Sequence, residues 1–450
     1  MRGGSHFDRF AEPGMWDNHG AVITRECTAA VLDLGTRHVS CMIARLLPPP
    51  KWLAPRVEHA RINILGFGQI GSRGITGGNI GDLDAAEEAV RGAVAKAEHS
   101  AGVTVDEVYV TFAGAGLSSE SFTASVPIAQ RTVDELDIRR ALLAAEQYAK
   151  RHGQSILHTV VSGYGLDDIP QIEDPRGLMG DTLKVNVLAA GMAPMAAKNI
   201  ALCVERCHLR LAGLVAAPLA SGLAAATAEE RTLGVTCIDM GAGTTSLAAF
   251  CDGQVIHIDS LSAGGERLTR DLARILSTPR AEAERLKTLY ASVFTDTAPD
   301  DDYVVCPLIG EDGEERYIYP TKADIAAIVR TRLEDMFSQL QERLEQAGCE
   351  PAVCERLVLT GGGAQLVGAV ELAGRIFGGA ARLGRPDAAA GLPPNTDPAL
   401  AAAVGTLTYL LRAPVERRAE SPSPQAPVMP AHMPSGGYFA KVGQWLRENF

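Results

Sequence analysis

The sequence lacks the features that would direct the chain out of the cell or cross-link it there. Its nine cysteines are an odd number and form no CxxC pair, so we expect free thiols in a reducing compartment. The first 20 residues contain no apolar core of the kind that a signal peptide needs. We therefore expect a protein that acts in the cytoplasm.

Basic clusters and strongly apolar membrane segments are also missing. The net charge is −12 and the Lys and Arg residues are dispersed, which argues against broad binding to nucleic-acid phosphates. Residues 211–228 are uncharged but consist mostly of Ala and Gly around Pro218, a weak membrane segment. We interpret them as a buried strand followed by a helix.

A metal site has little support in the cysteine pattern. Cys203, Cys207 and His208 are close together on a predicted helix, but no second ligand cluster lies nearby to complete a four-coordinate site. Free cysteine behaves as a small buried hydrophobe, so we favour core packing for these thiols.

What the sequence does contain is an alternation of strands and helices over most of its 450 residues, enough for two or three domains. Residues 21–47 read as a β-hairpin, and a helix from Asp84 to Ala101 precedes the strand VDEVYVTFAG. The irregular stretch from about Gly114 to Ala190 has the size of an inserted subdomain. A second hairpin, LGVTCIDMG–AGT–TSLAAFCDG, follows, and a long helix is predicted from Lys322 to Ala347.

The two hairpins repeat each other and carry the chemistry. Asp33, Gly35 and Thr36 in LDLGT match a second set in IDMGAGT, consisting of Asp239, Gly241, Gly243 and Thr244. Glycine lets backbone N–H groups approach phosphate oxygens, threonine adds a hydroxyl, and an acid at each strand end can hold a metal through water. A facing pair of such turns would hold the phosphates of a nucleotide.

Further elements complete the predicted site. In LVLTGGGAQLVG, a strand ends in a glycine-rich turn where backbone could lie against a flat base. SAGGERLTRDLA and AEAERLKTLY offer groups for ribose hydroxyls, with the second placing an acid and a lysine three residues apart on one helix face.

In this order, the elements resemble the nucleotide site of the actin, sugar-kinase and heat-shock-chaperone superfamily over residues 27–411. Within it, the chain closely resembles the FtsA family of bacterial cell-division proteins through SRGITGGNIGDLD, AKNI, VERC, LTGGGAQLVG and the terminal WLRENF. The resemblance implies an α/β fold of the actin-like (ribonuclease H-like) type, two-lobed with duplicated α/β domains and an inserted subdomain called 1C. It also implies membrane-bound filaments that recruit the tubulin-like protein FtsZ and later divisome proteins.

The resemblance further implies ATP and Mg²⁺ as ligands and assigns residues to them. The two hairpin sets above would form the phosphate loops, and Asp33 and Asp239 would place magnesium through water. The remaining assignments are Gly264, Gly265, Glu266, Glu284 and Lys287 on the ribose side, and Gly361, Gly362 and Gly363 at the adenine.

Two departures from the family pattern bear on activity. Relatives often carry Lys where His38 stands, which weakens one expected phosphate contact. Hydrolytic actins usually place Glu or Gln near the start of the connecting helix, whereas residues 218–225 offer only Ser221. We therefore expect ATP binding, with hydrolysis weak or absent.

The last residues, 437–450, are predicted to form an amphipathic helix lying on an anionic inner membrane at the division site. Its apolar residues share one arc of about 140° at helical periodicity. They are Tyr438, Phe439, Val442, Trp445, Leu446 and Phe450. The alternative is a helix that docks on its own globular domain, but a flexible linker, a Trp and two basic side chains suit headgroups better.

These expectations divide the chain into segments. They are a flexible arm (1–26), subdomain 1A (27–113 and 193–230), subdomain 1C (114–192), subdomains 2A and 2B (231–411), a disordered linker (412–436) and the terminal helix (437–450). The family resemblance places the C-terminal tail of FtsZ on the long helix, where Arg330 and Arg332 could pair with its acidic residues.

Rival interpretations remain open at this point. Gly66, Gly68 and Gly71 satisfy the GxGxxG pattern, but no helix follows directly to meet a dinucleotide's pyrophosphate. A sugar or acetate kinase of the same fold would need a catalytic acid beside an acceptor pocket. A third alternative is a related actin-like scaffold for cell shape or pilus assembly.

Overall fold

The computed structural model describes most of the globular part of the chain. The described residues are 15–16, 23–50, 52–53, 60–114, 116–150, 154–172, 174–294, 302–309, 316–386 and 395–412. The predicted linker beyond Arg412 and the predicted terminal helix lie outside these residues, as does most of the predicted N-terminal arm.

Strands and helices alternate along the described residues. The strands are β1 (Met15–Trp16), β2 (Cys27–Leu34), β3 (His38–Leu47), β4 (Arg61–Gly71), β5 (Ile75–Thr76), β6 (Asn79–Ile80), β7 (Glu107–Phe112), β8 (Ser118–Thr132), β9 (Ser155–Leu166), β10 (Ile169–Ile172), β11 (Met179–Met192), β12 (Arg210–Ala216), β13 (Val235–Met240), β14 (Thr245–Cys251), β15 (Gln254–Leu261), β16 (Cys306–Pro307), β17 (Tyr317–Ile318), β18 (Arg356–Thr360) and β19 (Ala380–Leu383). The α-helices are α1 (Leu83–Ala101), α2 (Glu135–Lys150), α3 (Pro194–Arg206), α4 (Ala217–Ala225), α5 (Ala228–Leu233), α6 (Gly265–Ile275), α7 (Arg280–Tyr290), α8 (Lys322–Gln346), α9 (Ala369–Phe377) and α10 (Ala401–Leu410).

Two sheets with the same strand order form the two lobes. The first lobe has the order β4-β3-β2-β7-β12, and the second has β15-β14-β13-β18-β19. In each, three consecutive strands pair antiparallel, the first of them pairs in parallel with the fourth strand, and the fourth pairs in parallel with the fifth. The duplication predicted from the two hairpins is therefore confirmed, and with it the two-lobed α/β fold.

The inserted segment has long strands and a core of its own. Strand β11 pairs antiparallel with both β8 and β9, and α2 packs on β8. Fully buried side chains such as Ile128 and Leu183 fill the space between them. The sheet continues into the second lobe through one residue pair, Ser118 with Asp259.

A buried histidine joins the insert to the first lobe. His158 on β9 accepts a hydrogen bond at Nε2 from the N–H of Ala216, 2.9 Å away, and its Nδ1 lies 3.3 Å from the hydroxyl of Tyr409. Because Nε2 accepts, the ring is neutral with its proton on Nδ1. Burial lowers the pKa of His158 to about 4, which keeps the ring neutral.

The glycines of the GxGxxG pattern have a packing role. Gly66 and Gly68 lie within β4, and α1 begins only at Leu83, so no helix N-terminus follows them. A Cβ on either glycine would overlap the backbone of α1 at Ala97 or Ala93. The dinucleotide interpretation is excluded, because these glycines let the helix approach the strand closely.

The uncharged run and the cysteine group belong to the core. Residues 211–228 contain most of β12 and all of helix α4, a strand followed by a helix as predicted. Cys203 is fully buried in the core of the first lobe, and Cys207 packs partly buried at its edge. None of the helices that the structure describes is both long and apolar enough to cross a membrane.

Candidate functional site

The two predicted phosphate loops occupy equivalent places in the two lobes. Asp33 lies near the end of β2 opposite Ser40, and Asp239 near the end of β13 opposite Ser246. Directly opposed residues in a strand pair share one face of the sheet, so each acid has a serine beside it. The duplicated hairpins thus bring two carboxylates to matching positions.

The loops also approach each other. A Cβ on Gly243 would overlap the hydroxyl of Thr36 in the opposite loop and would lie 2.9 Å from the backbone nitrogen of Gly77. The Thr36 hydroxyl accepts a 3.4 Å hydrogen bond from the N–H of Gly78. Because the Thr36 hydroxyl and the backbone of Gly77 crowd this position, only glycine fits at position 243.

Helix α6 fixes the second loop. The N–H of Gly265 donates to the carbonyl of Gly241 at 3.0 Å, and that of Glu266 donates to Ala242 at 2.7 Å. The N–H of Gly241 closes the turn onto the carbonyl of Thr244 at 2.8 Å. A Cβ on Gly264 would lie 2.6 Å from the carbonyl oxygens of Gly241 and Ala242, so this glycine permits the close approach.

Burial disfavours the charged form of both carboxylates, and the charge of Asp239 adds to this effect at Asp33. Burial, and then the neighbouring charge of Asp239, raise the pKa of Asp33 to about 7. Burial also raises the pKa of Asp239, against the hydrogen bond from the Ser221 hydroxyl, which is 2.5 Å long. A pair of acids in this state gains from a cation that neutralises both.

The predicted ribose side is an ion-pair network. Lys287 donates to Oε2 of Glu284 at 2.7 Å and to the carbonyl of Gly265 at 3.1 Å, and the Thr269 hydroxyl donates to the same Oε2 at 2.6 Å. Partial burial opposes ionisation, but the hydrogen bonds from Lys287 and Thr269 hold the pKa of Glu284 below its usual range. Glu266 lies apart from this network and pairs with Arg280 at 2.6 Å.

Sequence analysis missed Arg37, which crosses between the lobes. It follows Thr36 in the first loop, and its guanidinium donates to Oε1 of Glu284 in the second lobe at 2.5 Å. The only signal in the sequence was a charged residue at the tip of the hairpin, and the 247 positions between the partners hide the contact. The predicted ribose group Glu284 therefore already holds the first loop.

The glycines predicted to meet the adenine lie against the second acid. Gly361 has φ +82°, and a Cβ there would overlap Oδ1 of Asp239. A Cβ on Gly363 would lie 2.9 Å from the carbonyl of Met240, whereas Gly362 has only Ala399 as a neighbour, at 3.8 Å. Two of the three glycines are thus needed for packing, and Gly362 leaves a more open surface.

The residues present fit a hydrated divalent cation beside phosphates. In the described part of the chain, the buried hydroxyls of Thr245 and Ser246 have no hydrogen-bond partner. Ser246 shares its face of the sheet with Asp239. Buried polar groups without partners are rare in proteins, and the Ser246 hydroxyl is one that lies on the same face as a carboxylate, an oxygen donor that magnesium prefers.

On helix α8, the predicted partner-binding arginines have neighbours of their own. Arg330 is exposed and pairs with Glu334 at 2.7 Å. Arg332 is more buried and holds Asp271 of α6 at 2.6 Å and Asp335 at 2.9 Å. Arg330 is therefore the more available of the two, since exposed pairs contribute little to stability.

Comparison with known proteins adds family information. The family model "Cell division protein FtsA" matches residues 236–405, and the model "SHS2 domain inserted in FTSA" matches residues 114–189. The chain is 40% identical over 428 residues to cell division protein FtsA of Agrobacterium fabrum, covering 95% of this chain and 96% of that protein. It is 29% identical over 424 residues to the Escherichia coli K12 protein of the same name, covering 93% and 97%.

A solved structure agrees with the fold. The PilM–PilN type IV pilus biogenesis complex contains a chain that superposes with a TM-score of 0.56, covering 86% of this chain and 99% of that one at 17% identity. At this identity the likeness concerns the fold alone.

Proposed function

Because the chain belongs to the FtsA family of cell division proteins, we propose that it is an actin-like cell-division protein that binds ATP with Mg²⁺ between its lobes. In this proposal it polymerises on the cytoplasmic face of the inner membrane at the division site. There it tethers the FtsZ ring and recruits later divisome proteins.

The observation that carries nucleotide binding is the pair of matched loops with their two acids. Asp33 and Asp239 would hold the hydrated magnesium ion, and the backbone around Gly35 and Gly243 would meet the phosphates. Magnesium supplies charge neutralisation of the phosphates when it is bound. The raised pKa values of both acids support the assignment, because a bound cation would stabilise the ionised carboxylates that burial disfavours.

We propose binding with weak or absent hydrolysis. Within helix α4 the only polar side chain is Ser221, and its hydroxyl donates its proton to Asp239. A hydroxyl committed in this way is a poor general base, since it has no basic lone pair comparable to a carboxylate or imidazole.

Residues 437–450 are proposed as the membrane contact, from their apolar arc and the basic residues beside it. The proposed anchor residues are those predicted above, with Trp445 at the centre of the arc. One copy would bind reversibly, and a filament carrying many copies would bind firmly through avidity.

The proposed FtsZ-binding surface is the region around the start and outer face of α8. Arg330 would pair with acidic residues of the FtsZ tail, together with Arg332 where its own ion pairs yield. Near the first turn of the helix, Tyr303 and Tyr319 are both exposed, on two segments that are joined where Tyr303 pairs with Thr321. Exposed aromatics near the start of a helix that also exposes an arginine suit a peptide with both apolar and acidic residues.

Calorimetry with Gly243→Val tests the nucleotide site. A valine would force the loops apart, so ATP affinity in magnesium should fall at least tenfold. The matched control is Gly71→Val, because a Cβ at Gly71 has open space around it. Unchanged ATP affinity in Gly243→Val, or an equal loss in the control, would contradict the proposed site.

A further inference from the structure

Helix α4 connects the lobes and places one hydroxyl at the second acid. It continues from β12 of the first lobe and packs on β13 and β14 of the second. All nine of its residues are buried, and Ser221 is completely inaccessible. From there the Ser221 hydroxyl donates to Oδ2 of Asp239 at 2.5 Å.

The other oxygen of Asp239 is confined as well. Gly361, at the end of β18, lies so close to Oδ1 that a Cβ would overlap it. The carboxylate thus has a hydrogen-bond donor on one oxygen and a close backbone wall by the other. Its rotation about χ2, which is otherwise broad for Asp, is restricted by both neighbours.

We propose that Ser221 is a positioning residue that fixes the carboxylate of Asp239 for the magnesium ion of bound ATP. This inference rests on the proposed function, because it concerns the same site. The hydroxyl has a single hydrogen, which it donates in the hydrogen bond to Asp239. Only its lone pairs therefore remain for a further partner. Those lone pairs can accept a hydrogen bond from a water molecule. A neutral hydroxyl cannot, however, supply the negative charge with which Asp239 would neutralise magnesium.

A merely structural role would give a different result. Were Ser221 needed only to hold α4 on β13, its loss would lower stability and leave the contribution of magnesium to ATP binding unchanged. Thr236 offers a matched control in the same strand as Asp239. Its buried hydroxyl donates to the carbonyl of Val353 at 2.9 Å, a hydrogen bond between two neighbouring segments of the second lobe.

The experiment measures ATP affinity by calorimetry, once in magnesium and once in EDTA. The ratio of the affinity in magnesium to the affinity in EDTA is the magnesium effect. In Ser221→Ala the effect should fall about tenfold, as expected for losing a hydrogen bond to a charged group. In Thr236→Val it should equal that of the wild type, although the protein melts at a lower temperature. Ser221→Cys, with a weaker donor of similar shape, should lie between the two.

The outcomes separate the two proposals. If the wild type does not bind ATP, the proposed function fails and this inference with it. If the wild type binds ATP and Ser221→Ala keeps the full magnesium effect, only the role of Ser221 is refuted. An equal loss in Thr236→Val also refutes it. Should Ser221→Ala not fold by circular dichroism, Ser221→Cys decides, and an unchanged magnesium effect there overturns the inference.

Discussion

Replacing Asp33 with Asn should change how the stability of the ligand-free protein depends on pH. The pKa of Asp33 is about 7 in the folded protein, against an ordinary value of 3.8. An acid with a raised pKa binds more protons in the folded than in the unfolded state between these two values. The contribution of Asp33 to the stability of the folded state is therefore greatest at low pH, where this residue is protonated. It falls as the pH rises from 3.8 through about 7.

The magnitude follows from the size of this shift. Each pKa unit corresponds to about 1.4 kcal/mol, so full ionisation of Asp33 costs the folded state about 4 kcal/mol well above pH 7. Between pH 8 and pH 5.5, protonation recovers about 2 kcal/mol of this cost. At pH 8, Asp33→Asn should therefore be more stable than the wild type, and about half of that advantage should disappear at pH 5.5.

The assay is urea denaturation in EDTA, followed by circular dichroism at pH 8 and pH 5.5, with wild type and variant side by side. The difference between their free energies of unfolding isolates Asp33 from groups whose effect on stability changes with pH in the opposite direction. His158 is such a group, because its lowered pKa makes stability fall as the pH drops from 6.5 toward about 4. A difference that is the same at both pH values would refute the reasoning about Asp33.

Three other predictions concern the fold and the partners. Gly68→Ala should lower the free energy of unfolding by about 1–3 kcal/mol, since the new methyl overlaps α1, and Gly71→Ala should not; equal effects in denaturant would contradict the packing role. Arg330→Glu should weaken capture of an FtsZ-tail peptide, and an unaffected pull-down removes Arg330 from the interface. Trp445→Glu puts a charge in the apolar arc, so it should abolish flotation with anionic liposomes. Flotation equal to that of the parent chain would show that the anchor lies elsewhere.

Much of the fold was predictable because its signals are local. Helix α1 begins after Asp82, whose side chain caps the N–H groups of Asp84 and Ala85, and ends before Gly102 in the left-handed conformation. The hairpins were predictable from apolar strands around a short glycine-containing turn. Their repetition then indicated the duplicated lobes.

The contacts within the site were less predictable because they join distant positions. The sequence showed Ser221 only as the residue standing where a catalytic acid or amide was expected, whereas the structure makes it a donor to Asp239. Arg37 carried no signal beyond its charge, since its partner Glu284 belongs to the other lobe. The glycines of β4 imitated a nucleotide motif, and only the position of α1 shows that they serve packing.

The insert is bonded to both lobes. Its contact with the second lobe is the pairing of Ser118 with Asp259. The Ser119 hydroxyl supports this contact by accepting a hydrogen bond from the N–H of Ile258 at 2.7 Å. Its contact with the first lobe is His158, which accepts a hydrogen bond from the N–H of Ala216 immediately before α4. Because the insert is bonded to both lobes, the lobes cannot rotate against each other without straining these contacts or moving the insert. The position of the insert is thus coupled to the angle between the lobes.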